Sequence, residues 1–109
     1  MNRHVEVVTE RYIRDLKHSD IYRKYRKELE NIKKDEELFR RVTEYRQQNF
    51  EIQQQFFGDE LNQKMMEFEE RNIELRDNPQ VDAFLKAELA LCRMVQWVND
   101  TLIERLDFQ

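Results

Sequence analysis

The sequence predicts an all-α protein. Apolar residues recur at spacings of three and four along nearly the whole chain, the signature of amphipathic helices. Glycine and proline occur once each in 109 residues, so there is little material for the tight turns of β folds. Charged and capping residues gather where one periodic stretch gives way to the next. These features divide the chain into five helices, with a long antiparallel helical hairpin inside an elongated bundle. Residues 1–109 read as one domain, without a solenoid repeat, low-complexity tract or flexible linker.

The first helix carries Val5, Val8, Tyr12, Ile13 and Leu16 along one face, and His18-Ser19-Asp20 interrupts it. Ser19 or Asp20 suits the N-cap of the second helix, whose inward residues are Ile21, Tyr22, Tyr25, Leu29 and Ile32. Lys33 and Lys34 favour the negative end of that helix, while Asp35, Glu36 and Glu37 favour the positive start of a third. The third runs from Glu36 to Phe57 with the seam Leu38, Val42, Tyr45, Asn49, Ile52 and Phe56. Gly58 supplies a left-handed stop and Asp59 the next cap. Helix four repeats the rhythm with Leu61, Met65, Phe68, Asn72 and Leu75. Folding about Gly58 sets Phe56 near Leu61, Ile52 near Met65 and Tyr45 near Asn72, with the two seam asparagines fixing register.

Asn78-Pro79 opens the last helix, as cap and first helical residue. One face carries Val81, Phe84, Leu85, Leu91, Cys92, Val95, Leu102 and Leu106. A second row, Ala83, Ala87, Ala90, Met94, Trp97 and Thr101, lies on another side. A helix apolar over more than half its circumference needs partners on two sides. Central burial within one subunit would supply them; so would a second subunit, with that alanine-rich row as the candidate interface. Glu88 and Asn99 fall inside the apolar arc and require polar partners, for which Tyr12, Tyr22, Tyr25 or an arginine are candidates.

Catalytic and metal chemistry find little footing. Phosphate-cradling loops need several glycines, and a single cysteine completes neither a disulfide nor a zinc site. His4 and His18 are about four helical turns apart, too far for one helix to present both to a metal. They read as surface residues near a helix end. Carboxylate-bridged di-metal bundles use paired Glu-x-x-His motifs, and no histidine follows position 18. Glu67, Glu70 and Glu74, with Glu60 and Glu69 nearby, read as a solvated acidic face, and Cys92 as a small buried hydrophobe. We expect no enzymatic activity, cofactor or small-molecule substrate. No apolar run approaches the length of a membrane span and no signal-peptide core is evident, so the expected location is the cytoplasm.

Charge is unevenly divided. Residues 23–46 hold nine bases, Arg23, Lys24, Arg26, Lys27, Lys33, Lys34, Arg40, Arg41 and Arg46, against six acids. Residues 51–77 hold three bases against eight acids, and the whole chain is net −4. The basic stretch could meet RNA phosphates, which gives an alternative reading as an RNA-binding accessory protein. Intermixed acids and the negative total favour a protein partner or a second subunit over direct nucleic-acid contact.

With the helices in order, the chain resembles the YlbF/YmcA family of small bacterial regulators, which includes the YheA-like proteins. Ser19-Asp20-Ile21-Tyr22-Arg23-Lys24-Tyr25 is similar to the family's S-x-x-Y-x-x-Y entry, and Lys33-Lys34-Asp35-Glu36-Glu37-Leu38 to its short acidic break. The Gln-rich arm from Gln47 to Gln55 and the turn at Gly58 follow. Asn78-Pro79-Gln80-Val81-Asp82-Ala83-Phe84-Leu85-Lys86-Ala87-Glu88 is similar to the V-x-x-F-x-x-A-E opening of the family's last helix. The resemblance spans residues 5–106 and implies a long helical hairpin, an intertwined homodimer and no enzymatic activity. It also implies an adaptor that joins sister proteins in a complex with a membrane-associated ribonuclease of Gram-positive bacteria, affecting mRNA processing, competence, sporulation and biofilm formation. Some relatives with a cysteine-bearing tail are associated with iron–sulfur clusters; here Cys92 is the one cysteine.

Overall fold

A computed structural model describes residues 2–107 of the chain. It is all-helical over those residues, in the order α1 (Arg3–Leu16), α2 (Asp20–Lys33), α3 (Glu36–Gln55), α4 (Gly58–Arg71), α5 (Ile73–Asp77) and α6 (Pro79–Arg105). Several starts are written in short polar side chains. Asn2, Ser19, Asp35 and Asn78 each accept backbone N–H groups of the helix they precede. Such a cap contributes about 1 kcal/mol.

Two antiparallel pairs form the molecule. Each step forward along α1 and α2 is matched by a step back along α6. The Gln80 side chain donates to the Asn31 carbonyl at 2.7 Å, the Tyr25 and Phe84 rings lie 6.1 Å apart, and Val8 and Tyr12 lie beside Val98 and Leu102. Helices α3 and α4 make the second pair. Tyr45 stacks on Phe68 with ring centroids 4.9 Å apart, and Lys64 Nζ lies 5.4 Å from the Phe56 ring. The core forms where the pairs meet, around Ile32, Val42, Phe68, Val81 and Phe84, all fully buried, with Leu29, Leu38, Tyr45 and Leu75 around them. Ile52 and Met65, both on the expected hairpin seam, pack on this core.

Among the described residues the helices number six rather than five, because the expected fourth helix breaks at Asn72. The Asn72 amide donates to its own Phe68 carbonyl at 2.8 Å, competing with the backbone for that acceptor, and its backbone leaves the helical region at φ −111°, ψ 18°. Asn72 therefore ends a helix instead of pairing across the hairpin, and Asn49 accepts from Gln53 on its own helix. Register is held by Tyr45, whose phenol donates to Glu69 at 3.0 Å. The turn also differs. Helix α3 stops at Gln55, Phe56 and Phe57 are extended, and Phe57 rather than Asp59 takes the N-cap position without a side-chain bond. Gly58 does adopt the left-handed conformation, at φ +58°.

The helices are unevenly covered. No residue of α1 is buried, although Val5, Val8, Tyr12 and Ile13 make an apolar face. In α6 the buried residues are Val81, Phe84 and Ala87, all in its first third. Cys92, expected to be buried, is exposed. The radius of gyration is 17.6 Å, against about 13 Å for a compact domain of this length, and the principal extents are 49 × 37 × 21 Å.

Candidate interaction surfaces

Helix α6 outruns its core. Its first third packs on α2 and α5, while the remainder runs beside α1 with apolar gaps between them. One gap of about 320 Å³ is bounded by Val8, Tyr12, Val98 and Leu102. A second, of about 220 Å³, is bounded by Ile13, Leu16, Leu91, Met94 and Val95. Past Ala87 no described residue of α6 is buried. Leu89, Val95, Trp97, Leu102, Ile103 and Leu106 all rank as exposed, Trp97 at 65% and Leu106 at 72%. This arm has one helix on one side and solvent elsewhere.

The six small and apolar residues of the second row do not share one environment. Ala83, Met94 and Thr101 are half-buried, and Ala90 and Trp97 are exposed. Ala87, at 6% exposure, is already covered by its own chain. That corrects its place in the candidate interface: α2 packs on the part of α6 that carries it, leaving the row's outer half open. Glu88 finds its partner in Arg46 of α3, and Asn99 is exposed and needs none.

Of the nine bases of residues 23–46, four are ion-paired within the chain. Lys24 pairs with Glu28 at 3.1 Å, Arg26 with Glu30 at 3.8 Å, Arg40 with Glu37 and Glu44, and Arg46 with Glu88. Arg40's hydrogen bond and charge hold the Glu37 carboxyl below its ordinary range. Lys33 lies 5.8 Å from the Phe39 ring. Among the described residues, Arg23, Lys27, Lys34 and Arg41 are left without an ion pair or cation–π partner of this kind. The Glu28 pairing explains how a carboxylate can sit at 8% exposure on α2.

One polar constellation escaped the sequence reading. Tyr45, Arg46, Arg76, Lys86 and Glu88 come together where α3, α5 and α6 meet. Glu88 in an apolar arc was its one visible trace, since a buried-side carboxylate demands a cation nearby. Arg76 and Tyr45 gave no such sign, because the α4–α5 break that aims Arg76 was not anticipated. Burial and the Glu69 carboxylate push the Tyr45 phenol above its ordinary pKa.

No helix among the described residues is long and apolar enough to cross a membrane. Comparison with curated proteins and with solved structures gives no match. Comparison with protein families does: the family described as "Control of competence regulator ComK, YlbF/YmcA" matches residues 10–107, which takes in every helix, α1 in part. With that match across nearly all of an all-helical chain, this protein belongs to the YlbF/YmcA family.

Proposed function

We propose that this chain is a non-enzymatic regulatory adaptor of the cytoplasm, working as a homodimer and acting by binding other proteins. The observation that carries the reading is uncovered surface. The chain exposes 8963 Å², whereas a compact 13.6 kDa monomer exposes about 6,600 Å². The surplus, about 2,400 Å², matches one partner's share of a large obligate dimer interface. Exposed apolar side chains accompany it on α1 and outer α6, where Val8, Tyr12, Val95, Trp97 and Leu102 stand in solvent. Contiguous exposed apolar patches mark association surfaces in soluble proteins. Two copies laying these arms together would complete a four-helix arrangement and close both gaps between α1 and α6.

The family's name supports a place in competence control, and its resemblance supports joining sister proteins around a ribonuclease that processes mRNA. The paired bases on α2 and α3 lend no weight to direct RNA binding, because four of the nine already serve acids of the same chain. Light scattering on the purified protein across a concentration series tests the reading. A dimer that persists into the low micromolar range is expected; a strict monomer at tens of micromolar overturns it.

A further inference from the structure

A cleft of about 290 Å³ lies between α3, α5 and α6, apart from the two gaps between α1 and α6. Its polar groups are unevenly satisfied. Lys86 Nζ is 2.8 Å from Asp82, and Arg46 is paired with Glu88, but the buried Arg46 Nε–H finds no acceptor. The Asn49 carbonyl oxygen accepts from Gln53 at 3.2 Å, and its amide N–H groups have no acceptor among the described residues. Arg76 has no ion-pair partner among the described residues. Its guanidinium sits 5.9 Å from the Tyr45 ring centroid, and Tyr45 is itself tied to Glu69 at 3.0 Å, so a cation is held at the cleft by packing rather than by an acid. Beside these donors Leu89 is 48% exposed. The cleft thus offers one uncompensated positive charge, a surplus of N–H donors and an apolar shoulder.

We infer that this cleft takes a side-chain carboxylate of a partner protein, presented beside an apolar residue that seats on Leu89. The guanidinium fork matches a carboxylate in two parallel hydrogen bonds, and a single unpaired cation balances a single acid. A free multivalent anion would bring more charge than Arg76 neutralises and nothing to cover Leu89. This inference rests on the adaptor reading and names the chemistry of its partner.

The full-length chain, screened against a displayed library of random seven-residue peptides, should enrich sequences with Asp or Glu next to an apolar residue. A synthetic peptide from that set should lose about tenfold in affinity on Arg76→Gln and about tenfold when its acid becomes the amide, with the two losses not additive. Leu89→Asp, on an exposed position, should abolish binding while helicity by circular dichroism is unchanged. Enriched peptides without an acid, unaltered affinity for Arg76→Gln, or displacement by millimolar inorganic phosphate would each overturn the inference. So would a change of oligomeric state in Leu89→Asp, which would assign the cleft to a second copy of this chain. A dimer that selects no peptide sinks the cleft and leaves the adaptor reading standing; a monomer that selects acidic peptides does the reverse.

Discussion

Arg46 on α3 and Glu88 on α6, 42 residues apart in sequence, form an ion pair that ties the hairpin to the last helix. The same guanidinium lies 5.4 Å from the ring of fully buried Phe84, so the pair sits directly on the core. The side chains keep 35% and 23% exposure, which places the pair between a screened surface bridge and a dry buried one. Glu88→Ala or Arg46→Ala should each cost about 1–2 kcal/mol, with Arg46→Ala the larger because it also uncovers Phe84. The double variant should cost less than the two together. Urea denaturation of the four-member cycle checks this, and fully additive losses would show that the pair contributes nothing.

How far the sequence carried depended on the kind of signal. The cap at Asn78, the cap at Ser19 as one of two neighbouring candidates, and the left-handed backbone of Gly58 were legible because they act within a few residues of themselves. The break at Asn72 was not, because an asparagine in an apolar seam serves equally as a cross-helix partner or as a helix-bending side chain bonded to residue i−4. Glu88 announced that it needed a partner, yet the identity of Arg46 depends on how α3 and α6 cross, which periodicity does not encode. The same limit explains Ala87 and Cys92. Helical spacing tells which residues share a face, whereas burial depends on how far the neighbouring helix extends along it, and α2 stops covering α6 shortly past Ala87.

Gly58 is a case where conformation, not space, sets the cost of substitution. A β-carbon built at this position meets nothing within 4 Å, but the backbone sits at φ +58°. Gly58→Ala should therefore destabilise by about 1–2 kcal/mol from the left-handed strain alone. Gly58→Asn should cost less, since asparagine tolerates that region better. Thermal melts of the two variants should rank in that order, with α-helical content unchanged. Equal melting temperatures for wild type and Gly58→Ala would mean that the turn has another conformation in solution.

Tyr45 links stability to alkaline pH. Burial raises its phenol pKa, and the hydrogen bond it donates to Glu69 adds to the effect. A group whose pKa is higher in the folded state contributes stability below its unfolded value, about 10 for tyrosine, and loses that contribution as pH rises through the folded value. Stability of the wild-type protein should thus fall steeply above about pH 10, as the unfolded chain releases the proton that the native state retains. Tyr45→Phe should lose about 1 kcal/mol at neutral pH with the bond to Glu69, and should show a shallower alkaline fall. Urea melts at pH 8 and at a more alkaline pH separate the two effects, and parallel curves for both proteins would remove Tyr45 from the account.

Ala87 and Trp97 occupy the same row of α6 but opposite sides of the boundary between folding and association. Ala87, at 6% exposure, has no room for a charge, so Ala87→Glu should destabilise the subunit itself by about 3 kcal/mol or more, a large share of a total stability of about 5–15 kcal/mol, and lower its melting temperature at every concentration. Trp97, 65% exposed, has no such constraint within its own chain. Trp97→Glu should keep full helicity by circular dichroism yet scatter light as a monomer, and its melting temperature should stop depending on protein concentration. In the wild type the single tryptophan gives a direct optical readout: its fluorescence should shift to the blue as concentration rises through the dimer dissociation constant. If Trp97 emission stays that of a solvated indole at every concentration while light scattering reports a dimer, the two subunits meet elsewhere, and the outer half of α6 is left for a different protein to cover.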